Sequence, residues 1–415
     1  MRLFFYNFST LLVRLALPLI ALFSPKLRLF VKGRKGLLDQ IQRSFHGRED
    51  KLAWFHCASL GEFEQARPVI EAFRQTYLNY KVLLTFFSPS GYEIRKNYEQ
   101  ADYIFYLPLD TASNARIMIE AVQPEIAFFV KYEFWYHFSK ELHNRNIPLI
   151  SFSTIFRKEQ AFFKSYGGFN RSILKHFDYF FVQNNTSAEL LESIGLSNCS
   201  VTGDTRFDRV VEISKKAKAI PEVEAFTDGK QTMIIGSSWK EDIEVLAPLI
   251  REHQGSMKFI IAPHEIDDAS ITKTEELLGI TSIRFSTFES SKSESANVLI
   301  IDNIGMLSSL YQYGQYAYIG GAFGDGLHNI LEAATFGLPI FFGNRNYTKF
   351  QEAVDLIALN GAFAIGDFET LKTAFDNLQD KNTYEQSKAA TLRYVSENTG
   401  ATEKIMQYCK ELLSA

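Results

Sequence analysis

The amino-acid sequence predicts an α/β protein in which parallel strands and helices alternate within two domains. The chain has 415 residues, more than one hydrophobic core usually serves. From residue 52 onward, short apolar runs are followed by turns rich in Gly, Ser, Pro or Asn and then by segments with a helical apolar period. This order stops in a polar stretch, residues 214–231, and then restarts. We predict that this stretch is a linker between the domains.

The first predicted domain spans residues 36–213. Helices are expected at 64–77, 111–122 and 187–194, between apolar runs that have the length of buried strands. In chain order, the strand candidates are LAWFHCA, KVLLTFF, DYIFYLP, EIAFFV, PLISFS, YFFVQ and SVTG.

The second predicted domain spans residues 232–390, and an amphipathic helical tail follows at 391–415. Its strand candidates are TMIIGSSW, KFIIAPHE, ANVLIID, YAYIGGAFGDG and LPIFFGN. Each candidate ends in a polar or glycine-rich loop. Because ligands of parallel sheets bind beyond the carboxyl ends of the strands, these loops are expected to line one pocket.

Residues 1–35 form a predicted membrane-associating segment. The chain is apolar from Leu3 to Phe23 and then basic; the cations are Lys26, Arg28, Lys32, Arg34 and Lys35. Arg14 and Pro18 interrupt the apolar run, and no small-residue cleavage site follows it, so we expect an uncleaved segment that either spans the bilayer or lies at its surface. Basic flanks favour the cytoplasmic side. The alternative is an amphipathic helix that packs on its own domain.

Composition and missing motifs exclude several functional classes. A net charge of -4 argues against a general nucleic-acid binder, and the three widely spaced cysteines form neither a disulfide framework nor a zinc motif. The sequence contains no D-x-D pair, no H-E-x-x-H and no phosphate-binding P-loop. We therefore expect chemistry without a metal or a cofactor, in which helix N-termini and cationic side chains meet the charge of a leaving phosphate.

The most informative segment is YIGGAFGDGLHNILEAATFGLPIFFG, residues 318–343. Its glycines, among them Gly321 and Gly326, remove side chains where a helix is predicted to begin, and such a helix start can hold a phosphate. Glu332, one turn inside that helix, could accept hydrogen bonds from ribose hydroxyls. The alternative is a flexible loop followed by an acid that the helix dipole favours.

Three further loops follow predicted strands of the second domain. Ser237 and Ser238 offer hydroxyls and backbone donors, although they could simply cap the next helix. His264 follows a strand end, where a histidine is either a ligand contact or a structural residue. Gly305 in DNIGML brings a turn to the same predicted pocket.

Glu62 lies where the first strand turns into a helix, and its pattern allows two interpretations. Ser59-Leu-Gly-Glu62 fits the capping box, in which both side chains satisfy free backbone N–H groups of the helix. Alternatively, Glu62 is a general base that faces a cleft and removes a proton from an attacking hydroxyl.

Seven motifs in order resemble the 3-deoxy-D-manno-octulosonic acid (Kdo) transferases of lipopolysaccharide and lipid A biosynthesis. They are CASLGEFEQARPVIEA, VKYEFW, FSTIFR, VTGDTRFDR, IIGSSW, DNIGMLSSLY and GGAFGDGLHNILEAATFGLPIFFG. The resemblance covers nearly the whole chain. It implies a GT-B glycosyltransferase with two Rossmann-like domains that face a cleft, in which the second domain holds CMP-Kdo and the first meets a lipid A precursor of the lipid IVA type. The implied place is the cytoplasmic face of the bacterial inner membrane.

The resemblance also implies residue roles. Glu62 would be the general base of an inverting, metal-independent transfer, and Glu133 and Arg206 would support the transition state. The residues implied to bind the donor are Ser237, Ser238, Pro263, His264, Ile304, Gly305, Met306, Gly321, Gly326, Asn329, Ile330, Leu331 and Glu332. Those implied to bind the acceptor are Ser59, Gly61 and Arg157.

Two other functions fit the same sequence. One is a different GT-B transferase that uses a UDP-sugar and a lipid acceptor. The other is a non-catalytic two-lobed binding protein, a class that is normally exported and therefore fits poorly with an uncleaved, basic-flanked start.

Overall fold

A computed structural model describes residues 2–289, 296–324 and 326–414. Met1, Ala415 and Asp325, which belong to predicted segments, lie outside the described residues. The chain divides into two compact units: Met1–Arg209 together with Asn398–Ala415, and Val210–Glu397.

The first unit contains a parallel sheet of seven strands in the order β3-β2-β1-β4-β5-β6-β7. The strands are β1 Lys51–Cys57, β2 Tyr80–Phe86, β3 Tyr103–Tyr106, β4 Ile126–Val130, β5 Leu149–Thr154, β6 Tyr179–Val182 and β7 Cys199–Val201. The helices are α1 Arg2–Ile20, α2 Pro25–Lys32, α3 Leu37–Phe45, α4 Leu60–Thr76, α5 Pro89–Arg95, α6 Ala112–Val122, α7 Tyr136–Asn144, α8 Gly168–Leu174, α9 Asn185–Glu192 and the start of α10 Arg206–Lys215.

This sheet has an apolar core on each face. Successive side chains of a strand point to opposite faces, so Trp54 joins one core with Phe129 while Phe55 joins the other with Phe128. Strands that are covered on both sides carry apolar side chains at most positions, which explains the near-continuous hydrophobic runs of the sequence.

Helix α1 docks by one narrow face on the first unit. Tyr6 donates a hydrogen bond to Asp110, and His137 Nε2 lies 2.7 Å from Asn7 Oδ1. Most of its other apolar side chains are exposed, and Leu15 and Leu19 are 64% and 67% exposed. By length and composition alone, α1 is apolar enough to cross a membrane.

The last helix of the chain, α19, completes the first unit. It spans Ala401–Ser414 and buries Ile405 and Cys409 in the core that also holds Phe55. Both oxygens of Asp208 accept backbone hydrogen bonds at the start of α19, from Gly400 N and Thr402 N at 2.6 Å each.

The second unit also contains a parallel sheet, whose seven described strands run in the order β10-β11-β9-β8-β12-β13-β14. They are β8 Thr232–Ser238, β9 Lys258–Pro263, β10 Ser282–Arg284, β11 Val298–Ile300, β12 Tyr316–Ile319, β13 Ile340–Gly343 and β14 Ala362–Ile365. The helices are α11 Pro221–Thr227, α12 Lys240–Glu252, α13 Asp268–Leu278, α14 Leu307–Leu310, α15 Leu331–Thr335, α16 Gln351–Ala358, α17 Phe368–Asn377 and α18 Lys381–Glu397.

The parallel α/β architecture predicted from the sequence is confirmed, and three local features differ from it. Strands β10 and β14 were not predicted, because each is short and lies at a sheet edge. Helix α11 and the end of α10 occupy part of the predicted linker. The helical tail is broken at Gly400, whose φ of 98° cannot continue a helix.

Candidate active site

In the first unit, Glu62 lies in the first turn of α4, directly after the carboxyl end of β1. Its side chain is 16% exposed. Oε2 accepts a hydrogen bond from the hydroxyl of Ser59, and Oε1 lies 3.8 Å from Nζ of Lys131. Gly61, beside it, is exposed. The carboxylate is therefore oriented by two neighbours and still reaches solvent, as a general base requires.

The capping-box interpretation of this segment is not realised in the structure. Ser59 is the N-cap of α4, but its side chain makes no cap hydrogen bond to the backbone. Its hydroxyl is directed to the Glu62 carboxylate instead. The reciprocal pattern that the spacing suggested is absent here.

Glu133 lies in the loop after β4 and is 9% exposed. Its Oε2 accepts a hydrogen bond from Trp135 Nε1 at 2.7 Å and lies 3.0 Å from His56 Nε2. Lys131, at the start of this loop, has a φ of 65°, which a residue with a Cβ rarely adopts. Strained backbone of this kind is concentrated at functional sites.

Arg206 begins α10 and is bound to the buried carboxylate of Asp204. Its Nε and Nη2 each lie 3.0 Å from Asp204 Oδ2, and its backbone N donates to Oδ1 at 2.9 Å. Gln65 Nε2 donates to the same Oδ2 at 2.8 Å. Burial alone would raise the pKa of Asp204, but the charge and hydrogen bonds of Arg206 outweigh it and hold that pKa below its ordinary value.

Tyr132 links these predicted residues electrostatically. Burial raises the pKa of its phenol; the positive charge of Arg157 opposes this shift, and the negative charges of Glu62 and Asp204 add to it. Arg157 itself is exposed, beyond the carboxyl end of β5. The predicted catalytic and acceptor residues of the first unit thus lie beyond the carboxyl ends of the strands, on the same side of the sheet.

In the second unit, four of the predicted donor residues lie at the carboxyl ends of β8 and β9: Ser237, Ser238, Pro263 and His264. Ser238 is the register partner of Pro263, and His264 N donates to Ser238 O at 2.9 Å. The Ser238 hydroxyl is buried and has no hydrogen-bond partner among the residues that the structure describes. Ser237 has a φ of 51°. A buried hydroxyl without a protein partner is a ready donor to a ligand.

Two aromatic side chains that were not predicted, those of Trp239 and His328, lie beside His264. The rings of Trp239 and His264 stack with centroids 4.3 Å apart, and the His328 ring lies 4.8 Å from His264. Trp239 Nε1 donates to His328 Nε2 at 3.3 Å. Burial, together with the nearby charge of His264, lowers the pKa of His328. A neutral His328 can therefore accept the indole hydrogen bond.

The glycine loop after β12 is fixed by a buried carboxylate. Asp242 Oδ2 accepts from Gly321 N at 3.1 Å, and its Oδ1 accepts from the Tyr318 hydroxyl at 2.7 Å. Gly321 has a φ of 93°, and a Cβ there would lie 2.4 Å from Gly326 O. Only glycine fits this position, because both the backbone and the space forbid a side chain.

The structure corrects the predicted start of the helix that follows this loop. Helix α15 begins at Leu331, five positions after Gly326, so Glu332 lies in its first turn rather than one turn inside. Glu332 Oε1 accepts a hydrogen bond from Asn329 Nδ2 at 3.0 Å. Ile330 and Leu331 are fully buried, so only their backbone could meet a ligand.

The DNIGML loop lies beyond β11 and leads into α14. Ile304 is 87% exposed, Gly305 has a φ of 98°, and Met306 is the N-cap of α14. Within the described residues, no group of three or more His, Cys, Asp or Glu side chains could hold a metal ion.

Five residues at these sites were not predicted: His56, Lys131, Trp239, Asp242 and His328. Lys131, Trp239 and His328 belong to motifs that were already quoted, VKYEFW, IIGSSW and GGAFGDGLHNILEAATFGLPIFFG. His56 and Asp242 are buried, and their patterns resemble those of ordinary strand and helix residues.

Comparison with known proteins identifies relatives of both units. Residues 31–209 match the family model described as 3-deoxy-D-manno-octulosonic-acid transferase (kdotransferase). A transferase of that name from Chlamydophila psittaci is 23% identical over 356 residues, which cover 82% of this chain and 81% of that protein. The corresponding protein from Aquifex aeolicus is 27% identical over 316 residues, which cover 74% of this chain and 80% of its own length.

Two solved structures show the same fold. UDP-GlcNAc 2-epimerase from Neisseria meningitidis, bound to UDP-GlcNAc, has a TM-score of 0.61 at 17% identity and covers 87% of this chain and 99% of its own. MurG from Acinetobacter baumannii has a TM-score of 0.55 at 12% identity, with coverages of 88% and 99%. At these identities the likeness concerns the fold alone.

The family model spans most of the first unit, and the named transferases align over most of both units on a GT-B fold. The chain is therefore a glycosyltransferase, and over most of its length it is similar to the 3-deoxy-D-manno-octulosonic-acid transferases, whose family model matches residues 31–209.

Proposed function

We propose that the protein transfers Kdo from CMP-Kdo to a lipid A precursor of the lipid IVA type, with inversion and without a metal ion. The observation that carries the proposal is the Glu62 carboxylate, which is held by Ser59 and Lys131 and yet remains partly exposed. A carboxylate in this state can accept the proton of an incoming sugar hydroxyl. Glu133 and Arg206 would stabilise the charges that develop as CMP leaves.

The donor would bind to the second unit. A nucleotide would find donors in the Ser238 hydroxyl, which has no partner among the described residues, and in the backbone of the Gly321 loop. The aromatic cluster of Trp239, His264 and His328 supplies stacking surfaces. Asn329 and Glu332, already hydrogen-bonded to each other, would meet the ribose.

The acceptor would reach the enzyme at a membrane surface. Helix α1 directs apolar side chains away from the first unit, as an interfacial helix does. We propose that α1 and the basic residues after it hold the protein at the cytoplasmic face of the inner membrane, where the lipid acceptor is embedded.

The decisive experiment compares Glu62→Gln with the natural protein in two assays. We expect transfer from CMP-Kdo to fall by about a hundredfold or more, since general bases contribute roughly 10²- to 10⁴-fold, while CMP binding is unchanged. Full activity of the variant would remove Glu62 from the mechanism. Excess EDTA should leave transfer unaffected, and tighter binding of UDP than of CMP would favour a UDP-sugar transferase instead.

A further inference from the structure

We propose that His56 is a positioning residue for Glu133: it is neutral, it carries its proton on Nε2, and Thr85 and Trp54 fix that tautomer. The proposal assigns a role to three buried side chains that lie behind the candidate site. Its consequence for turnover rests on the proposed function, whereas the tautomer itself does not.

The sheet brings these side chains together. Trp54 and His56 are two positions apart on β1 and therefore point to the same face. Thr85 on β2 is the register partner of His56. All three residues are fully buried, so water does not compete for their hydrogen bonds.

The contacts form a chain that ends at Glu133. Trp54 Nε1 lies 2.8 Å from Thr85 Oγ1, Thr85 Oγ1 lies 2.9 Å from His56 Nδ1, and His56 Nε2 lies 3.0 Å from Glu133 Oε2. An indole nitrogen can only donate, so it occupies an acceptor position of the Thr85 oxygen. This arrangement leaves the Thr85 hydrogen free to be donated to His56 Nδ1.

A neutral histidine that accepts a hydrogen bond at Nδ1 must carry its proton on Nε2. That proton is then donated to Glu133 Oε2, which also accepts from Trp135 Nε1 at 2.7 Å. The opposite tautomer could donate from Nδ1 to Thr85 O at 3.2 Å, but it would turn the Nε2 lone pair toward the carboxylate oxygen. Trp135 Nε1 also lies 3.3 Å from His56 Nε2. Because its contact with Glu133 Oε2 is shorter, at 2.7 Å, and a carboxylate can only accept, the geometry favours the relay in which the donors point toward Glu133.

The relay matters because a neutral imidazole orients the carboxylate without cancelling its charge. Glu133 would then keep its negative charge and could stabilise the positive charge that develops on the donor sugar as its leaving group departs. An imidazolium at the same position would neutralise that charge. His56 would thus act through Glu133 and would not touch the substrate.

The tautomer can be tested directly in the full-length protein. Long-range proton–nitrogen NMR of protein labelled with ¹⁵N-histidine distinguishes the Nε2–H form, the Nδ1–H form and imidazolium, and the signal is assigned with His56→Asn. We expect the Nε2–H form at neutral pH. Observation of the Nδ1–H form or of imidazolium would overturn the proposal, whether or not the enzyme transfers Kdo.

Thr85→Val keeps the shape of the side chain and removes the hydroxyl. We expect the His56 signal to lose its Nε2–H signature and kcat to fall on the order of tenfold to a hundredfold, with a donor KM within about threefold of the natural value. Thr85→Ser, which restores the hydroxyl, should recover the signature and most of the turnover.

Thr232→Val is the matched control, because it also removes the hydroxyl of a buried threonine. Thr232 is a fully buried threonine at the start of β8, away from the candidate site, and its hydroxyl donates to the Lys230 carbonyl. This variant should keep its kcat even if its melting temperature falls. An unchanged kcat in Thr85→Val would overturn the positioning role, whereas absence of Kdo transfer in the natural protein would count against the proposed function and leave the NMR result standing.

Discussion

Ser59 donates its hydroxyl hydrogen to Oε2 of Glu62 instead of capping the backbone of α4. The spacing that predicted a capping box therefore produces a pair in which one side chain orients the other. Mutation of Ser59 can therefore distinguish the two roles of its hydroxyl. Loss of a cap would lower helix stability, whereas loss of an orienting hydroxyl would lower activity.

Ser59→Ala should reduce transfer by about tenfold and leave the free energy of unfolding nearly unchanged, because the hydroxyl makes no backbone cap. The comparison is Thr111→Ala, since Thr111 caps α6 and accepts from Asn114 N at 3.2 Å. That variant should lose about 1 kcal/mol in urea unfolding and keep its activity. A stability loss in Ser59→Ala equal to that of Thr111→Ala would restore the capping interpretation.

Asp204→Asn should destabilise the first unit by about 1 to 3 kcal/mol at neutral pH, because Arg206 loses the carboxylate that binds it. The pKa of Asp204 is held below 3.8, so its ionised form stabilises the folded state above that pH, and the contribution disappears as the pH falls through the lowered pKa. The difference between the natural protein and the variant should therefore shrink on acidification. Urea unfolding between pH 7 and the lowest pH at which both proteins remain folded measures it, and a constant difference would contradict the ion pair.

Gly321→Ala should lower the affinity for CMP by more than about tenfold, because a Cβ there would lie 2.4 Å from Gly326 O and 2.8 Å from His328 Cδ2. Gly195→Ala is the control, since Gly195 has a φ of 79° and no atom within 4 Å of its Cβ position. Both variants should lose about 1 to 2 kcal/mol through backbone strain, but only Gly321→Ala should weaken calorimetric CMP binding. Equal CMP affinity in the two variants would place the glycine loop outside the donor site.

Deletion of residues 1–24 should leave CMP binding intact and abolish recovery of the protein with membranes. A finer test replaces Leu15 and Leu19 together by Glu, which should weaken binding to anionic vesicles by at least about tenfold, because burying one leucine contributes about 1.5 to 3 kcal/mol. Leu78→Glu is the matched control, since Leu78 is 86% exposed and lies outside α1. Vesicle binding that survives the double substitution would show that α1 does not contact the bilayer.

Long apolar runs were the most predictable part of the fold. β1 and β2 are buried along nearly their whole length, so their sequences are mainly apolar and could be located within about one residue. The edge strands β10 and β14 could not, because only a few of their positions are buried and tertiary pairing rather than composition makes them strands.

Candidate residues of the site could be named where the pattern is local, and their roles stay predictions. Glycine positions and the carboxyl ends of strands pointed to residues of the second unit, the turn from strand to helix pointed to Glu62, and the resemblance favoured its role as a base. The partners that orient these groups were not predictable, because His56 and Lys131 meet the carboxylates only when separate strands are brought side by side. Asp242 was likewise hidden, since its bonds to Tyr318 and Gly321 join distant parts of the chain.

The two ends of the chain share one unit, and this arrangement restricts the order of synthesis and assembly. Helix α19 contributes Ile405 and Cys409 to the core around β1, and Asp208 binds its first turn. The ribosome makes that helix after the whole of the second unit. The first unit must therefore wait with an uncovered core until residues 401–414 have been synthesised, so a stop codon just before residue 401 should destabilise the first unit more than the second.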